Sequence, residues 1–401
     1  MTASPHSRST AQRMAAVAGE LSDQFLERAS VIRALACAVL AGQHAFILGP
    51  PGTAKSELAR ALTGRIEGAR LWEILLGRFT DPKKMFGPID VAELMQGRYT
   101  QVFAGRAAEA DIAFIDEIFK CSAGALNETL AFLNERLYHP ENGGPPVRCP
   151  LISAICASNE LPSGEETAAI YDRLLVRVEV EYLADPGNFA ALLRSSCLPA
   201  PAAPPATVPL DGLRQAVGTG VPAVTVPDGI LDAVCQLRAQ LRRQELVASD
   251  RRWKQSIRLL QASAYLDDRA EVNDTDLAVL TATLWERTTE RAAVEREVLT
   301  LVSPDAREAL DLLDAVDELE AQLDSKAGQS REALSEWGIR EANAKLSRAG
   351  KRLEEMRRDA TAAGRSAATL DRAIARRRAV HARVMTEALG VDPTMVAASL
   401  S

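Results

Sequence analysis

The sequence predicts an α/β fold in which a parallel β-sheet is flanked by helices, followed by an all-α lid and a C-terminal helical extension. Short apolar runs of strand length alternate with helical segments through the first half of the chain, which favours a sheet covered by helices. The first run ends in a glycine-containing loop that leads into a helix, as a phosphate-binding loop requires. Beyond the first half, the patterns are helical only.

The predicted elements follow one another in the order that such a fold needs. Apolar residues at three-, four- and seven-residue intervals predict a helix over residues 11–40. The core strands are predicted at residues 45–48, 71–76, 112–115, 151–157 and 176–180, with helices at 56–63 and 123–135. Residues 97–103 and 136–149 are predicted to form hairpin insertions, because the first alternates and the second is broken by glycine and proline.

A proline-rich segment marks a domain boundary. Five prolines lie within the twelve residues from Leu198 to Pro209, and proline cannot continue a helix. The predicted domains are an α/β domain at 1–198, a linker at 199–210, a helical lid at 211–304 and a helical hairpin or coiled coil at 305–401. The lid helices are predicted at 228–244, 252–266 and 274–285, the last capped by Asn273. Glycines at positions 328, 338, 350 and 364 are expected to interrupt the C-terminal helices.

Composition is typical of a soluble globular protein. Of the 401 residues 47% are hydrophobic, but no apolar run approaches the ~18–20 residues that span a bilayer. The first residues lack the apolar stretch of a secretory signal, so we expect a cytoplasmic protein without a membrane span. The six cysteines are scattered without the spacing of a metal site.

Charge is distributed unevenly along the chain. The net charge of −7 argues against a nucleic-acid partner for the whole surface. Residues 331–383 nevertheless contain 14 Lys or Arg against 7 Asp or Glu. A solvated helix face rich in arginine is the simpler interpretation of this stretch, and contact with an acidic partner is the alternative.

The loop GPPGTAKS fits a site for the phosphates of ATP. Glycine lets backbone N–H groups approach phosphate, and the positive end of the next helix points there. Lys55 is expected to neutralise the β and γ phosphates, and Ser56 to place its hydroxyl on Mg²⁺. The strict pattern has glycine before the lysine, whereas this chain has Ala54. The residues expected to contact the nucleotide here are Gly49, Pro50, Pro51, Gly52, Thr53, Ala54, Lys55, Ser56 and Glu57.

Two carboxylates at the end of a buried strand, in IAFIDE, complete an ATP site. Asp116 is expected to hold Mg²⁺, and Glu117 to orient and polarise the water that attacks the γ phosphate. On the next strand the apolar run ends at Ser158, and an amide at the neighbouring Asn159 can reach that water. Asn159 is therefore predicted to sense the γ phosphate, although asparagine is also common in ordinary turns.

Arginines outside these strands are candidates for contact with nucleotide. Arg173, just before the fifth core strand, is predicted to act on the nucleotide of a neighbouring subunit. A simple Asp172–Arg173 pair is the alternative, and Arg177 is a competing candidate. In the lid, Arg251 or Arg252 in the first turn of a helix is predicted to reach over the bound phosphates, and the sequence leaves the choice open.

These residues resemble the MoxR family of AAA+ ATPases, and within it the RavA group. The resemblance spans roughly residues 21–293 and rests on six motifs in one order: GPPGTAKS, AFIDEIFK, NERLYHPENGG, ASNELP, YDRLLVR and SDRRW. It implies the same roles for the phosphate-loop residues, the two carboxylates and Asn159. It also implies Arg173 as a finger acting in trans, and Arg251 or Arg252 as the second sensor.

The resemblance further implies a homo-oligomeric ring, expected to be a hexamer, with ATP and Mg²⁺ bound between subunits. Such proteins hydrolyse ATP to remodel or activate a protein client in a chaperone-like manner, and many work with a partner that contains a von Willebrand factor A domain. The sequence does not identify the client. Two other functions remain open: a ring that translocates nucleic acid, and an ATP-gated scaffold with little turnover.

Overall fold

Five parallel strands form the central sheet of the computed structural model, which describes residues 9–120, 123–140, 143–195, 204–302, 304–326, 330–362 and 368–392. The strands within these ranges are β1 Ala45–Leu48, β2 Ile66–Glu67, β3 Leu71–Leu75, β4 Ile112–Asp116, β5 Leu137–Tyr138, β6 Val147–Arg148, β7 Ser153–Ser158, β8 Val176–Glu179 and β9 Val208–Pro209. The sheet order is β3-β4-β7-β1-β8. The carboxyl ends of β4, β7 and β1 therefore lie side by side at one end of the sheet, where α/β sheets bind ligands.

Helices cover this sheet and account for most of the other regular structure among the described residues. Up to residue 302 they are α1 Thr10–Gln24, α2 Ala29–Leu40, α3 Lys55–Thr63, α4 Pro82–Phe86, α5 Val91–Met95, α6 Ala123–Glu135, α7 Glu165–Arg173, α8 Pro186–Ser195, α9 Leu210–Gln215, α10 Asp228–Arg243, α11 Asp250–Leu266 and α12 Thr288–Val302. A 3₁₀ helix at Asp274–Ala282 is capped by Asn273, as predicted. The predicted α/β fold with a helical lid is confirmed.

The chain divides into two compact units, residues 1–294 and 295–401, and the division falls within α12. In the first unit every residue of β1 and β7 is buried, because helices cover both faces of a parallel sheet. Within the described residues, no helix is long and apolar enough to cross a membrane. The domain boundaries given above stay a prediction, and residues 199–203 of the predicted linker lie outside the described residues.

The predicted helix over residues 11–40 is wrong in one respect, because α1 and α2 are separate helices. Between them Glu27 adopts a left-handed backbone conformation with φ 61°. Its carboxylate accepts hydrogen bonds from the backbone N–H groups of Ala184 and Asp185, at 2.9 and 3.0 Å, and from the Asn188 side chain. The interruption therefore ties the α1–α2 elbow to the segment that begins α8.

The two predicted insertions have different outcomes. The hairpin at residues 136–149 is confirmed, because β5 and β6 pair in antiparallel fashion; residues 141–142 lie outside the described residues. Residues 97–103 do not form a hairpin by themselves. Thr100 and Val102 instead bond to the extended segment at residues 88–90, and α5 occupies the loop between the two paired segments.

The second unit is a helical bundle. Its helices are α13 Pro304–Ser325, α14 Arg331–Trp337, α15 Asn343–Ala362 and α16 Ala368–Arg383, with π-helical segments at Gly338–Ala342 and Val384–Ala388. Helices α13, α15 and α16 pack pairwise, so the predicted hairpin or coiled coil is a bundle of three long helices. Buried Val316, Leu346 and Val380 belong to one of its apolar clusters.

Two of the four glycines expected to interrupt these helices do not do so. Gly338 and Gly350 lie within continuous helical chain, and the glycines at 328 and 364 lie outside the described residues. A Cβ at Gly338 would lie 2.8 Å from a methyl group of Leu389, and one at Gly350 would lie 2.7 Å from the guanidinium carbon of Arg377. Close packing, rather than helix termination, explains both positions.

Candidate active site

The loop between β1 and α3 has a backbone that only certain residues can adopt. A Cβ at Gly49 would lie 2.2 Å from the carbonyl oxygen of Val180, so no other residue fits there. Gly52 and Ala54 both have a left-handed conformation, with φ 81° and 62°. Ala54 thus takes the conformation that favours glycine at the position where the strict phosphate-loop pattern has one. The substitution keeps the path of the loop at the cost of local backbone strain.

Lys55 begins α3, and its side chain is only 7% exposed. Its Nζ donates to the carbonyl oxygens of Gly49 and Pro50, at 2.5 and 2.9 Å, and to Asn159 Oδ1 at 2.7 Å. Burial lowers the pKa of the ammonium group, and the nearby carboxylates of Asp116 and Glu117 oppose this shift. The structure therefore places a buried cation at the end of the phosphate loop.

Ser56, Asp116 and Glu117 meet at the carboxyl end of β4. Ser56 Oγ donates to Asp116 Oδ2 at 2.8 Å, and the Glu117 backbone N–H donates to Asp116 Oδ1 at 3.0 Å. A hydroxyl and a carboxylate oxygen are hard ligands of the kind that Mg²⁺ prefers. No group of three His, Cys, Asp or Glu in the described part of the chain is placed to hold a metal. This pair suits an ion that takes its remaining ligands from water and phosphate.

Glu117 is held in place from two sides. Its backbone is left-handed, with φ 54°, a strained conformation that is concentrated at functional sites. Asn159 Nδ2 donates to Glu117 Oε1 at 2.8 Å, and Lys120 Nζ lies 3.2 Å from Oε2. With Lys55 bonded to the other atom of the same amide, the three side chains form one chain of hydrogen bonds. The residues predicted from three different segments are thus brought together at the carboxyl end of the sheet.

A pocket of about 690 Å³ adjoins the phosphate loop. Its walls include Gly52, Thr53, Ala54 and Glu57 from the loop and α3, Phe25 and Arg28 from the α1–α2 elbow, and Tyr182 and Phe189 near α8. The Tyr182 hydroxyl donates to the carbonyl oxygen of Pro51 at 3.1 Å. The volume and the aromatic walls suit the base and ribose of a nucleotide. Sequence patterns gave no signal for Phe25, Tyr182 and Phe189, because these residues come together only in the folded chain.

Arg173 lies at the amino ends of the parallel strands, at the end of the sheet opposite the phosphate loop. It ends α7 directly before β8, whose first residue Val176 pairs with Ala45, the first residue of β1. The phosphate loop follows the last residue of β1, on the order of 10 Å away along the strand. Arg173 Nη1 forms an ion pair with Asp172 Oδ2 at 2.7 Å, while its Nε has no partner among the described residues. Arg173 does not face the phosphate loop of its own chain.

The competing candidate, Arg177, is enclosed in the core. Its side chain is 1% exposed and donates to the carbonyl oxygens of Tyr171 at 2.9 Å and Trp285 at 2.6 Å. Its guanidinium carbon also lies 3.5 Å from the centre of the Tyr171 ring. An arginine with these contacts holds the lid against the sheet and is not available to another subunit.

The two lid arginines have different surroundings. Arg252 is 0% exposed and donates to the carbonyl oxygens of Leu174, Leu175 and Thr283. Burial, and then the nearby charge of Arg177, lowers its pKa to about 9. It is a structural residue, contrary to the expectation that it could contact phosphate.

Arg251 is more exposed and donates to Asn134 Oδ1, at the end of α6. Burial and the positive charge of Arg173 lower its pKa, so these two arginines lie near each other. Ser249, which caps α11, is also 3.4 Å from Asp172. Like Arg173, Arg251 is at the amino end of the sheet, opposite the phosphate loop. The predicted contact of Arg251 with bound phosphates therefore stays a prediction.

Comparison with known proteins identifies the family of this chain. Residues 12–198 match a family model described as the MoxR domain in the MoxR-vWA-beta-propeller ternary systems, and residues 229–298 match a model of an AAA lid domain. The uncharacterized protein MJ0079 of Methanocaldococcus jannaschii is 33% identical over 305 residues, which cover 76% of this chain and 78% of the relative. The chain belongs to the MoxR family of AAA+ ATPases. A second relative in that organism, the uncharacterized protein MJ0812, is 33% identical over 301 residues, covering 75% of this chain and 79% of its own length.

A solved structure supports the fold of this MoxR-family chain. A candidate ATPase from Cytophaga hutchinsonii has a TM-score of 0.57 at 15% identity, and the match covers 73% of this chain and 94% of the other. The MoxR model contains Lys55, Glu117, Asn159 and Arg173, whereas Arg251 lies in the lid model. The second unit beyond residue 298 lies outside both family models.

Proposed function

We propose that the chain binds ATP with Mg²⁺ and hydrolyses it by in-line attack of water on the γ phosphate. The observation that carries this proposal is the chain of hydrogen bonds from Lys55 through Asn159 to Glu117, at the carboxyl ends of adjacent parallel strands. A cation suited to phosphate and a carboxylate suited to orienting water belong to this one network, which supports the proposal. The pocket beside the loop would hold the base and ribose.

Each residue of the network has a separate role in this reaction. Lys55 leaves the loop carbonyls and donates to the β and γ phosphates, while Asn159 turns toward the γ phosphate or the water. Glu117 orients the water and takes up its proton as the bond to phosphorus forms. Ser56 and Asp116 would hold Mg²⁺, which neutralises charge on the phosphate oxygens.

We further propose that Arg173 and Arg251 act on the nucleotide of a neighbouring copy in a homo-oligomeric ring, most simply a hexamer. Both lie at the amino end of the sheet, opposite their own phosphate loop. A guanidinium group stabilises the charge that develops on the transferred phosphoryl group. Arg173 must leave Asp172 to do so, which makes its release a step that assembly controls.

The energy of hydrolysis would remodel or activate a protein client, in the chaperone-like manner of the RavA group, in the cytoplasm. Because the matched family model is described from systems with a von Willebrand factor A protein, we propose a partner of that kind. The insertion that contains α5 offers a surface for protein contact, since Val91, Leu94 and Met95 are exposed by 67%, 48% and 85%. Exposed apolar side chains on one short element are typical of interaction sites.

Neither competing function gains support from a specific contact. Most described arginines of residues 331–383, the basis for a nucleic-acid ring, pair with carboxylates of the bundle. Ala54 permits but does not require a scaffold with little turnover, and it keeps the left-handed conformation of the loop.

The test is steady-state phosphate release as a function of protein concentration, for wild type and Arg173→Ala. Specific activity that rises with concentration, and that Arg173→Ala abolishes, supports a ring with a finger in trans. Activity that is independent of both concentration and Arg173 contradicts the ring. The matched control is Arg243→Ala, which removes an exposed arginine from the last turn of α10.

A further inference from the structure

The positive charge of the second unit is largely consumed within its own bundle. Helix α16 faces the acidic helix α13, so that Arg376 pairs with Asp317 and Glu320, and Arg383 pairs with Glu320 and Asp324. Across residues 331–383 the described cations that form ion pairs are Arg340, Lys345, Arg352, Arg357, Arg372, Arg376, Arg378 and Arg383. Three of these cations, Arg352, Arg376 and Arg383, pair with carboxylates of α13, and the others pair with carboxylates elsewhere in the unit.

The cations left over are concentrated in one place. Of the described Lys and Arg in this stretch, Arg331, Arg348, Lys351, Arg358 and Arg377 have no carboxylate within ion-pair distance. All but Arg331 line a single groove of about 730 Å³ between α15 and α16. The carboxylates in the groove, Glu354 and Glu355, already pair with Arg378 and Arg352. The groove therefore carries an uncompensated positive charge.

Arg377 forms the inner part of this groove. Its side chain is 8% exposed, and its Nε has no hydrogen-bond partner among the described residues. Gly350 makes room for the guanidinium group, because a Cβ there would lie 2.7–2.9 Å from its atoms. Arg377 Nη1 donates to His381 Nδ1 at 3.3 Å, and His381 Nε2 donates to Asn343 Oδ1 at 2.7 Å. The guanidinium is held in position, yet part of its hydrogen-bonding capacity is unused.

A buried cation without a paired anion is unfavourable. Burial accordingly lowers the pKa of Arg377, with a further contribution from Arg378, whereas the charge of Glu354 opposes this shift. An oxyanion would remove this cost, because a guanidinium group binds carboxylate or phosphate through two parallel hydrogen bonds. The exposed cations Arg348, Lys351 and Arg358 follow α15 over ten residues, which is about 15 Å of helix. The ligand that matches this arrangement is an elongated one with several negative charges.

We propose that the groove between α15 and α16 binds an acidic segment of a partner protein, with one carboxylate on Arg377 and others on Arg348, Lys351 and Arg358. Charge complementarity selects the class of partner. A nucleic-acid strand is a poorer match, because the groove lining contains no Phe, Tyr or Trp side chain on which a base could stack.

The test is fluorescence anisotropy of a labelled glutamate-rich peptide titrated with the full-length protein at moderate ionic strength. Two variants weaken the proposed binding site in the groove by different means. The double variant Arg348→Gln/Lys351→Gln removes exposed charge without disturbing packing, and Gly350→Ala displaces the Arg377 guanidinium without changing charge. Arg340→Gln is the control, because it removes one exposed arginine that lies outside the groove.

We expect the wild type and Arg340→Gln to bind the peptide alike, and both groove variants to bind it at least about tenfold more weakly. Equal affinity in all four proteins would overturn the proposal. A single-stranded oligonucleotide of equal charge provides the second arm. If it binds more tightly than the peptide and the same variants abolish its binding, the site belongs to nucleic acid and the assignment to an acidic protein is wrong.

Discussion

The side-chain amide of Asn159 donates to the carboxylate of Glu117, with 2.8 Å between Nδ2 and Oε1. The same amide accepts from Lys55 through its other atom, at 2.7 Å. The group expected to contact the γ phosphate and the group expected to activate water are therefore connected through one side chain. Any ligand that moves Lys55 changes the hydrogen bonding of the amide and, through it, of the carboxylate.

Replacement of Glu117 by Gln should separate binding from hydrolysis. The amide keeps the size of the side chain but cannot take up a proton, and general-base catalysis contributes about 10²–10⁴-fold. We expect nucleotide affinity close to that of the wild type and a fall in kcat of at least about 100-fold. Nucleotide titration and phosphate release measure the two. Glu160→Gln, at a neighbouring exposed carboxylate, should retain activity; undiminished turnover of Glu117→Gln would refute the role assigned to it.

Mixing two inactive variants tests whether Arg173 acts between subunits. Lys55→Ala lacks a functional phosphate site but keeps Arg173, and Arg173→Ala has the reverse combination. If the arginine acts in trans, a mixed ring contains some intact sites, and mixing should restore about a quarter of wild-type phosphate release at equal proportions. Inactive mixtures would count against action in trans, provided that native mass spectrometry detects mixed assemblies.

Arg251 and Arg252 should differ in what their loss affects. Arg252→Met leaves the carbonyl oxygens of Leu174, Leu175 and Thr283 without their donor, so we expect a loss of about 3 kcal/mol or more in the free energy of unfolding. Arg251→Gln should change that free energy by less than about 0.5 kcal/mol while lowering phosphate release. Urea denaturation and activity assays distinguish the two. Equal destabilisation by both variants would contradict their assignment.

Ala54→Gly should stabilise the protein, although glycine usually weakens it. A left-handed conformation costs a non-glycine residue about 1 kcal/mol, which glycine avoids at this position. We expect the free energy of unfolding of the first unit to rise by up to about 1 kcal/mol. Ala15→Gly, at an exposed position within α1, is the matched control and should lower it by about the same amount. A loss of stability in both variants would mean that the strain is absent.

His44 should make stability fall at mildly acidic pH. The Ala154 backbone N–H donates to its Nδ1 at 2.9 Å, and its Nε2 donates to the carbonyl oxygen of Leu133 at 2.7 Å. Burial, and then the charge of Arg136, holds the pKa of the imidazole well below 6.5. The unfolded chain takes up a proton near pH 6.5 that the folded chain refuses. The free energy of unfolding should therefore decrease below that pH, by about 1.4 kcal/mol per pH unit from this group.

Denaturation curves at pH 7.5, 6.5 and 5.5 measure this dependence. His44→Gln retains a hydrogen-bonding side chain without the titration, so its curve should fall less steeply between pH 6.5 and 5.5. The same slope in wild type and variant would assign the effect to other groups, among them His381, whose pKa burial also lowers.

Local sequence was sufficient where the structure depends on local physics. The strand Ala45–Leu48, the loop after it and the acidic pair at Asp116 were predictable, because each is specified by a few consecutive residues. Asn159 was predictable from the position of its strand end. Each of these site residues follows the carboxyl end of a strand, so the order of the strands in the sheet is enough to bring them together.

Other features depend on partners distant in sequence. The break at Glu27 involves N–H groups near residue 184, and the pocket beside the loop joins Phe25 to Tyr182; neither leaves a mark on the local pattern. Arg251 and Arg252 are adjacent, yet one is enclosed and the other is not, because helix rotation decides their surroundings. The sequence predicts a helix interruption at Gly350, whereas in the structure this glycine makes room for Arg377.

The hydrogen bonds of Lys55 to Gly49 and Pro50 also have a kinetic consequence. When nucleotide arrives, the ammonium group exchanges these acceptors for phosphate oxygens, so part of the new interaction only replaces an old one. After hydrolysis the loop carbonyls can take the ammonium back as ADP departs. The internal acceptors thus moderate the affinity for both nucleotides and lower the barrier to product release, a step that limits turnover in many enzymes. If the proposed hydrolysis repeats over many cycles, this exchange is more useful to it than the tightest possible binding of ATP.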